Sequence, residues 1–133
     1  MKITADSNVL LRVIVGDHPA QAKAAEDILR RAEVVAVTVP TLCEVVWVLA
    51  QGYKIAAADI AQAIRTLING ANVAVDRLAV EAGLAVLDAG GDFADGAIAV
   101  EGQRLGAELF VSFDKQAVRL LERRGLSTRL LAQ

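Results

Sequence analysis

Val34-Val35-Ala36-Val37-Thr38-Val39-Pro40-Thr41-Leu42-Cys43-Glu44 is the stretch whose reading decides the fold. Residues 34–39 are almost all β-branched and apolar, which predicts a buried strand. Pro40 has no N–H to give a strand ladder, so it stops the strand and suits the first turn of a helix. That helix is expected over residues 41–50, with Gly52 ending it. A strand that is apolar throughout, rather than on alternate residues, is covered on both faces, as in parallel sheets.

The same alternation extends in both directions. Toward the N-terminus, residues 2–5 read as a strand and 9–14 as a short helix ended near Gly16. Pro19 then opens a helix over residues 20–31, with Ala24, Ile28 and Leu29 on one face. Toward the C-terminus come a helix at 57–68, a short strand at 72–75 and a helix at 78–89. After the break at Gly90-Gly91 follow a helix at 92–105, a strand at 108–113, a helix at 115–124 and a last strand at 127–131. Strands alternating with helices imply an α/β fold: a three-layer α/β/α sandwich around a central parallel sheet. Residues 1–133 suit one domain with a sizeable core. No repeat or linker interrupts them.

Composition narrows the function classes. Apolar residues make 55% of the chain, which argues for a folded globule. A net charge of -2 excludes a broad basic coat, so any nucleic acid must be held by local Arg and Lys or through metal ions. Cys43 is the single cysteine, which allows no intrachain disulfide and suits a reducing, cytoplasmic setting. Met1-Lys2-Ile3-Thr4-Ala5-Asp6 does not read as a signal peptide. The longest apolar stretch, residues 34–53, is broken by Pro40, Glu44 and Gly52 and is no membrane span.

Ligands in parallel sheets sit beyond the carboxyl ends of the strands. Asp6 follows the first strand, Glu44 the second, and Asp114 the strand at 108–113. Asp92 and Asp95 open the helix after Gly90-Gly91. Asp6, Asp92 and Asp114 also stand where helix N-caps belong, a role worth about 1 kcal/mol, and Asp95 resembles the acidic partner of a capping box. Glu44 is the only charged residue in 34–53, so a buried carboxylate is expected there, one that needs compensation. Carboxylates converging at one edge repel each other unless a cation joins them. All-oxygen ligands suit Mg²⁺ or Mn²⁺, whose bound water can attack a phosphodiester that the ion polarises.

Four segments in order carry a family resemblance. Asp6-Ser7-Asn8-Val9-Leu10-Leu11-Arg12, Pro40-Thr41-Leu42-Cys43-Glu44-Val45-Val46-Trp47, Asp92-Phe93-Ala94-Asp95-Gly96-Ala97-Ile98-Ala99 and Val111-Ser112-Phe113-Asp114-Lys115 resemble the motifs of PIN-domain ribonucleases, in particular VapC-type toxins of toxin–antitoxin pairs. The resemblance implies a Mg²⁺- or Mn²⁺-dependent endoribonuclease, an RNA substrate, a homodimer and a VapB-like antitoxin. It implies Asp6, Glu44, Asp95 and Asp114 as catalytic and metal-binding acids, Asp92 as a further ligand, and Asn8 and Ser112 as residues that orient the carboxylates. Gly96 departs from the pattern: it stands where a helix former is usual, at a cost of roughly 1 kcal/mol, and is expected to loosen the site.

Arg12 and Lys115, near the acidic motifs, are the candidate RNA-backbone contacts, ahead of Arg104 and Arg119. His18 reads as a helix cap or a solvated side chain, Cys43 as a small core residue, and Trp47 as core or dimer interface. Arg30-Arg31 and Arg123-Arg124 read as solvated helix ends. Two other readings compete. A receiver-like phosphoacceptor domain would hold Mg²⁺ beside one aspartate. It usually has an acidic pair after the first strand and a Lys after the last, whereas Ser7 follows Asp6 here. A catalytically silent PIN-fold binding module is the other, and the filled acidic positions give it no support.

Overall fold

Short parallel strands and amphipathic helices alternate through the computed structural model, which describes residues 1–132. The chain forms two compact units, Met1–Asp76 and the residues from Arg77 onward.

The first unit runs β1 (Lys2–Thr4), α1 (Ser7–Val15), α2 (Pro19–Arg31), β2 (Val34–Ala36), α3 (Val39–Trp47), a π-helical turn (Val48–Gly52), α4 (Ala57–Ile68) and β3 (Val73–Ala74). Its three strands are parallel in the order β1-β2-β3, with Ile3 opposite Val35 and Val35 opposite Val73. Val35 is buried in the middle strand, and Leu10, Leu42, Val45, Leu49, Ile60 and Ile64 are buried on the helices. Ile60, Ile64 and Ile68 recur every fourth residue, so α4 buries one stripe. On α2 the buried pair is Ala22 and Ala25, while Ala24 is exposed.

The second unit runs α5 (Arg77–Asp88), α6 (Phe93–Arg104), β4 (Phe110–Ser112), α7 (Lys115–Arg123) and β5 (Thr128–Leu130). Strands β4 and β5 are parallel. The strands thus hydrogen-bond in two sets, three in the first unit and two in the second. On α7, Ala117, Val118, Leu120 and Leu121 form the buried face.

Two local features differ from the sequence reading. The β2 ladder stops at Ala36 and Val39 already starts α3, because Thr38 Oγ1 accepts the Thr41 N–H at 3.4 Å and caps the helix two residues earlier than expected. A Gly96 side chain has no room. A Cβ there would run into the Ala82 carbonyl and lie 2.9 Å from Gly83 Cα. Gly83 is as constrained, since its Cβ would sit 2.7 Å from the buried Phe93 ring. Gly96 therefore lets α5 and α6 touch backbone to backbone. It tightens the helix pair that carries Asp95, contrary to the loosening expected from helix propensity. Among the described residues no helix is long and apolar enough to cross a membrane.

Candidate active site

Parallel pairing of β1 and β2 sends the chain into α1 and α3 from the same end of the first sheet. Asp6 is the N-cap of α1, and its Oδ1 accepts the Val9 N–H at 3.0 Å. Glu44 lies in the second turn of α3 and accepts the Ser7 hydroxyl at 3.0 Å. One acidic motif is thereby tied to the next through a side chain of α1.

The burial expected for Glu44 is not found. Pro40, Glu44 and Trp47 are exposed, at the spacing of one helix face, while Leu42, Val45 and Val46 are buried on the other. The apolar run concealed an ordinary amphipathic helix whose outer face holds only a few residues. Trp47 is 65% exposed, so it is no core residue of this chain. Cys43 is half-buried and free of any disulfide. His18 caps α2, its Nδ1 accepting the Gln21 N–H at 3.3 Å.

The second unit brings three acids together. Asp92 caps α6 by accepting the Ala94 N–H at 3.2 Å. Asp114 caps α7 and accepts the N–H groups of Gln116 at 2.9 Å and Ala117 at 3.2 Å. Asp95 sits in the first turn of α6, half-buried. The capping box is incomplete, because the Asp95 carboxylate accepts no hydrogen bond among the described residues and only its backbone N–H reaches Asp92. Burial, followed by the charges of Asp92 and Asp114, pushes the Asp95 carboxyl above the ordinary aspartate range.

The orienting roles also fall differently. Ser112 Oγ accepts the Asp114 N–H at 2.9 Å, so it fixes the turn into α7 through backbone. Asn8 makes no hydrogen bond to a carboxylate among the described residues, and Ser7 holds Glu44 in its stead. The signal for Ser7 was its place directly after Asp6, in the first turn of α1. Lys115 is exposed and adjoins Asp114 in a shallow cavity with Phe113 and Gln116. Arg12 is engaged elsewhere, its Nε donating to Gln21 on α2 at 2.5 Å. Gln21 had no local signal, because only the packing of α1 on α2 brings it to Arg12.

Among the described residues no group of three or more His, Cys, Asp or Glu is placed to hold a metal ion as it stands. The donors nevertheless fit a hard divalent cation in kind. They are all carboxylate oxygens. Asp95 is a half-buried acid in a field of like charge, where a cation would offset both burdens.

An α/β fold with acids at the strand ends and helix starts is the class these observations define. The chain belongs to the PIN-domain family, whose profile matches residues 3–122. That membership covers all four acidic motifs, shows the PIN-like α/β fold expected from the sequence, and points to nuclease activity in general. No curated protein matches the chain.

Proposed function

We propose that this chain is a metal-dependent endoribonuclease and the toxin component of a toxin–antitoxin pair. The observation that carries the nuclease reading is Asp95: half-buried, without a hydrogen-bond donor among the described residues, and repelled by Asp92 and Asp114. A group held at such cost is a functional-site candidate rather than a stabilising one. Asp92, Asp95 and Asp114 would hold Mg²⁺ or Mn²⁺ in the second unit. Asp6 and Glu44 are proposed as the other acidic ligands from their places in the family motifs. When bound, the ion would supply the positive charge that polarises a phosphodiester.

The chain's own residues do the rest. Caps hold Asp6, Asp92 and Asp114 at fixed helix starts. Ser7 donates its hydroxyl to Glu44. Lys115, beside Asp114, is a point charge for an RNA phosphate. The profile match runs through both units, which supports treating residues 1–133 as one PIN-like domain. The toxin role, the VapB-like antitoxin and the homodimer rest on the motif resemblance, and the cytoplasmic setting on the presence of a single cysteine in the sequence.

The test is to induce the protein in cells and map new RNA 5′ ends, with Asp95→Asn as the control. Discrete new ends from the wild type alone are expected. Identical end maps from two folded proteins would overturn the reading.

A further inference from the structure

Packing of α1 on α2 leaves a groove of about 380 Å³, within the roughly 300–1,000 Å³ typical of small-ligand pockets. Val9, Ala24 and Ile28 give it apolar walls. Arg12 and Gln21 supply its polar edge, and Asp6 lines it too. The groove therefore opens beside a candidate catalytic acid.

The hydrogen bond from Arg12 Nε to Gln21 Oε1 sets the chemistry of that edge. It occupies the one acceptor that Gln21 has, leaving its amide N–H groups as donors. It also pins the guanidinium plane, whose two Nη groups make no hydrogen bond among the described residues. The Arg12–Gln21 edge thus offers donors, in a planar fork, above apolar walls, while Asp6 and Asn8 add acceptor oxygens to the lining that suit the N1–H and amino group of the same base. The matching ligand is flat, with an apolar face and two adjacent acceptors. Guanine presents such a pair, O6 and N7, and arginine binds it bidentately. Adenine and cytosine place an amino donor at that edge and would set N–H against N–H. A base is free to enter only where RNA is unpaired.

We propose that the α1–α2 groove is the subsite for an unpaired guanine next to the bond that is cut, read through O6 and N7 by Arg12 and Gln21. The proposal rests on the nuclease reading above and changes the part given to Arg12. It reads a base, while Lys115 remains the backbone contact.

The probe is a short single-stranded RNA with one guanine among adenines, bound to the full-length Asp95→Asn chain so that it stays intact. Affinity is measured over a range of salt, and the methyl resonances of Val9 and Ile28 are followed. Guanine should bind roughly tenfold tighter than adenine or 7-deazaguanine at the same place, with both methyls shifting. Adding Arg12→Ala or Gln21→Ala should erase that preference and leave the salt slope nearly unchanged. Adding Lys115→Ala should lower the slope by about one and keep the preference. Ala24→Leu, made at an exposed position, should fill the groove and abolish the preference as well. Equal affinity for guanine and adenine, or bound RNA that leaves the Val9 and Ile28 methyls unmoved, would overturn the subsite. The two readings fail separately. Discrete cleavage in cells without guanine preference removes the subsite alone, whereas guanine binding without any cleavage removes the nuclease.

Discussion

The two units treat their acids differently. In the first, both candidate carboxylates have a donor: Asp6 takes the Val9 N–H and Glu44 the Ser7 hydroxyl. In the second, Asp92 and Asp114 are likewise satisfied by helix N–H groups, but Asp95 between them is not. It is half-buried and carries the repulsion of both. The first unit has stabilised its negative charge with protein groups. In the second, burial and like charge leave Asp95 uncompensated among the described residues, and the proposed site rests on that difference.

Replacing one acid in each unit should give the largest effects and the clearest contrast. Asp6→Asn and Asp95→Asn are each expected to lower RNA cleavage by about 10²- to 10³-fold, the usual cost of one electrostatic group lost from a transition state. Their stabilities should diverge. Asn caps a helix as well as Asp, so Asp6→Asn should melt near the wild-type temperature. Asp95→Asn removes a repelled charge and should melt higher at neutral pH. Calorimetry beside a cleavage assay checks both. A wild-type-like or lower melting temperature for Asp95→Asn would erase the contrast.

A pair of glycines sharpens the comparison in a different way. Gly96 is limited by space and Gly16 by backbone, since Gly16 has φ +69° and a Cβ added there would meet nothing within 4 Å. Gly16→Ala should cost about 1–2 kcal/mol for the left-handed conformation. At Gly96, helix propensity favours Ala by about 1 kcal/mol, but overpacking against the Ala82 carbonyl costs typically 1–3 kcal/mol or more. Gly96→Ala should therefore destabilise, read as a lower denaturation midpoint, and should reduce cleavage by shifting Asp95. A stabilised Gly96→Ala would show that α5 and α6 separate readily.

Much of this was legible because the signals were local. Strand runs, Pro19, Pro40 and the glycine breaks located the helices and strands within a few residues, and helix α4 was read with its observed ends. The acids at helix starts were visible because Asp caps helices. What escaped depended on the facing of one helix and on distance in sequence. Glu44 looked buried because its neighbours are apolar, yet helical periodicity turns it outward. Ser7 bonds across 37 residues to Glu44, and Arg12 meets Gln21 only because α1 packs on α2. Gly96 looked like a weakness because its partner, Ala82, lies on another helix. Propensity describes a residue in its own element, and Ser7, Arg12 and Gly96 are decided by a neighbouring one.

The smallest expected effect is the pH dependence of that unmet charge. The folded-state pKa of Asp95 is raised, so between the unfolded aspartate value near 3.9 and its own the folded chain binds the extra proton. Stability must then fall as pH rises through that interval, because stability rises with pH only where the unfolded state holds more protons. Below it, Asp95 is protonated in both states and the penalty vanishes; above it, the penalty is complete. The wild type and Asp95→Asn should therefore differ little in melting temperature, apart from the substitution itself, at the acid end. The gap should open with rising pH and stay constant afterwards. Adding Mg²⁺ at neutral pH should narrow it, since an ion that binds only the folded carboxylates stabilises the wild type more than the variant. A gap that opens with pH but ignores Mg²⁺ and Mn²⁺ would mean that the repulsion is real and the cation is not its answer.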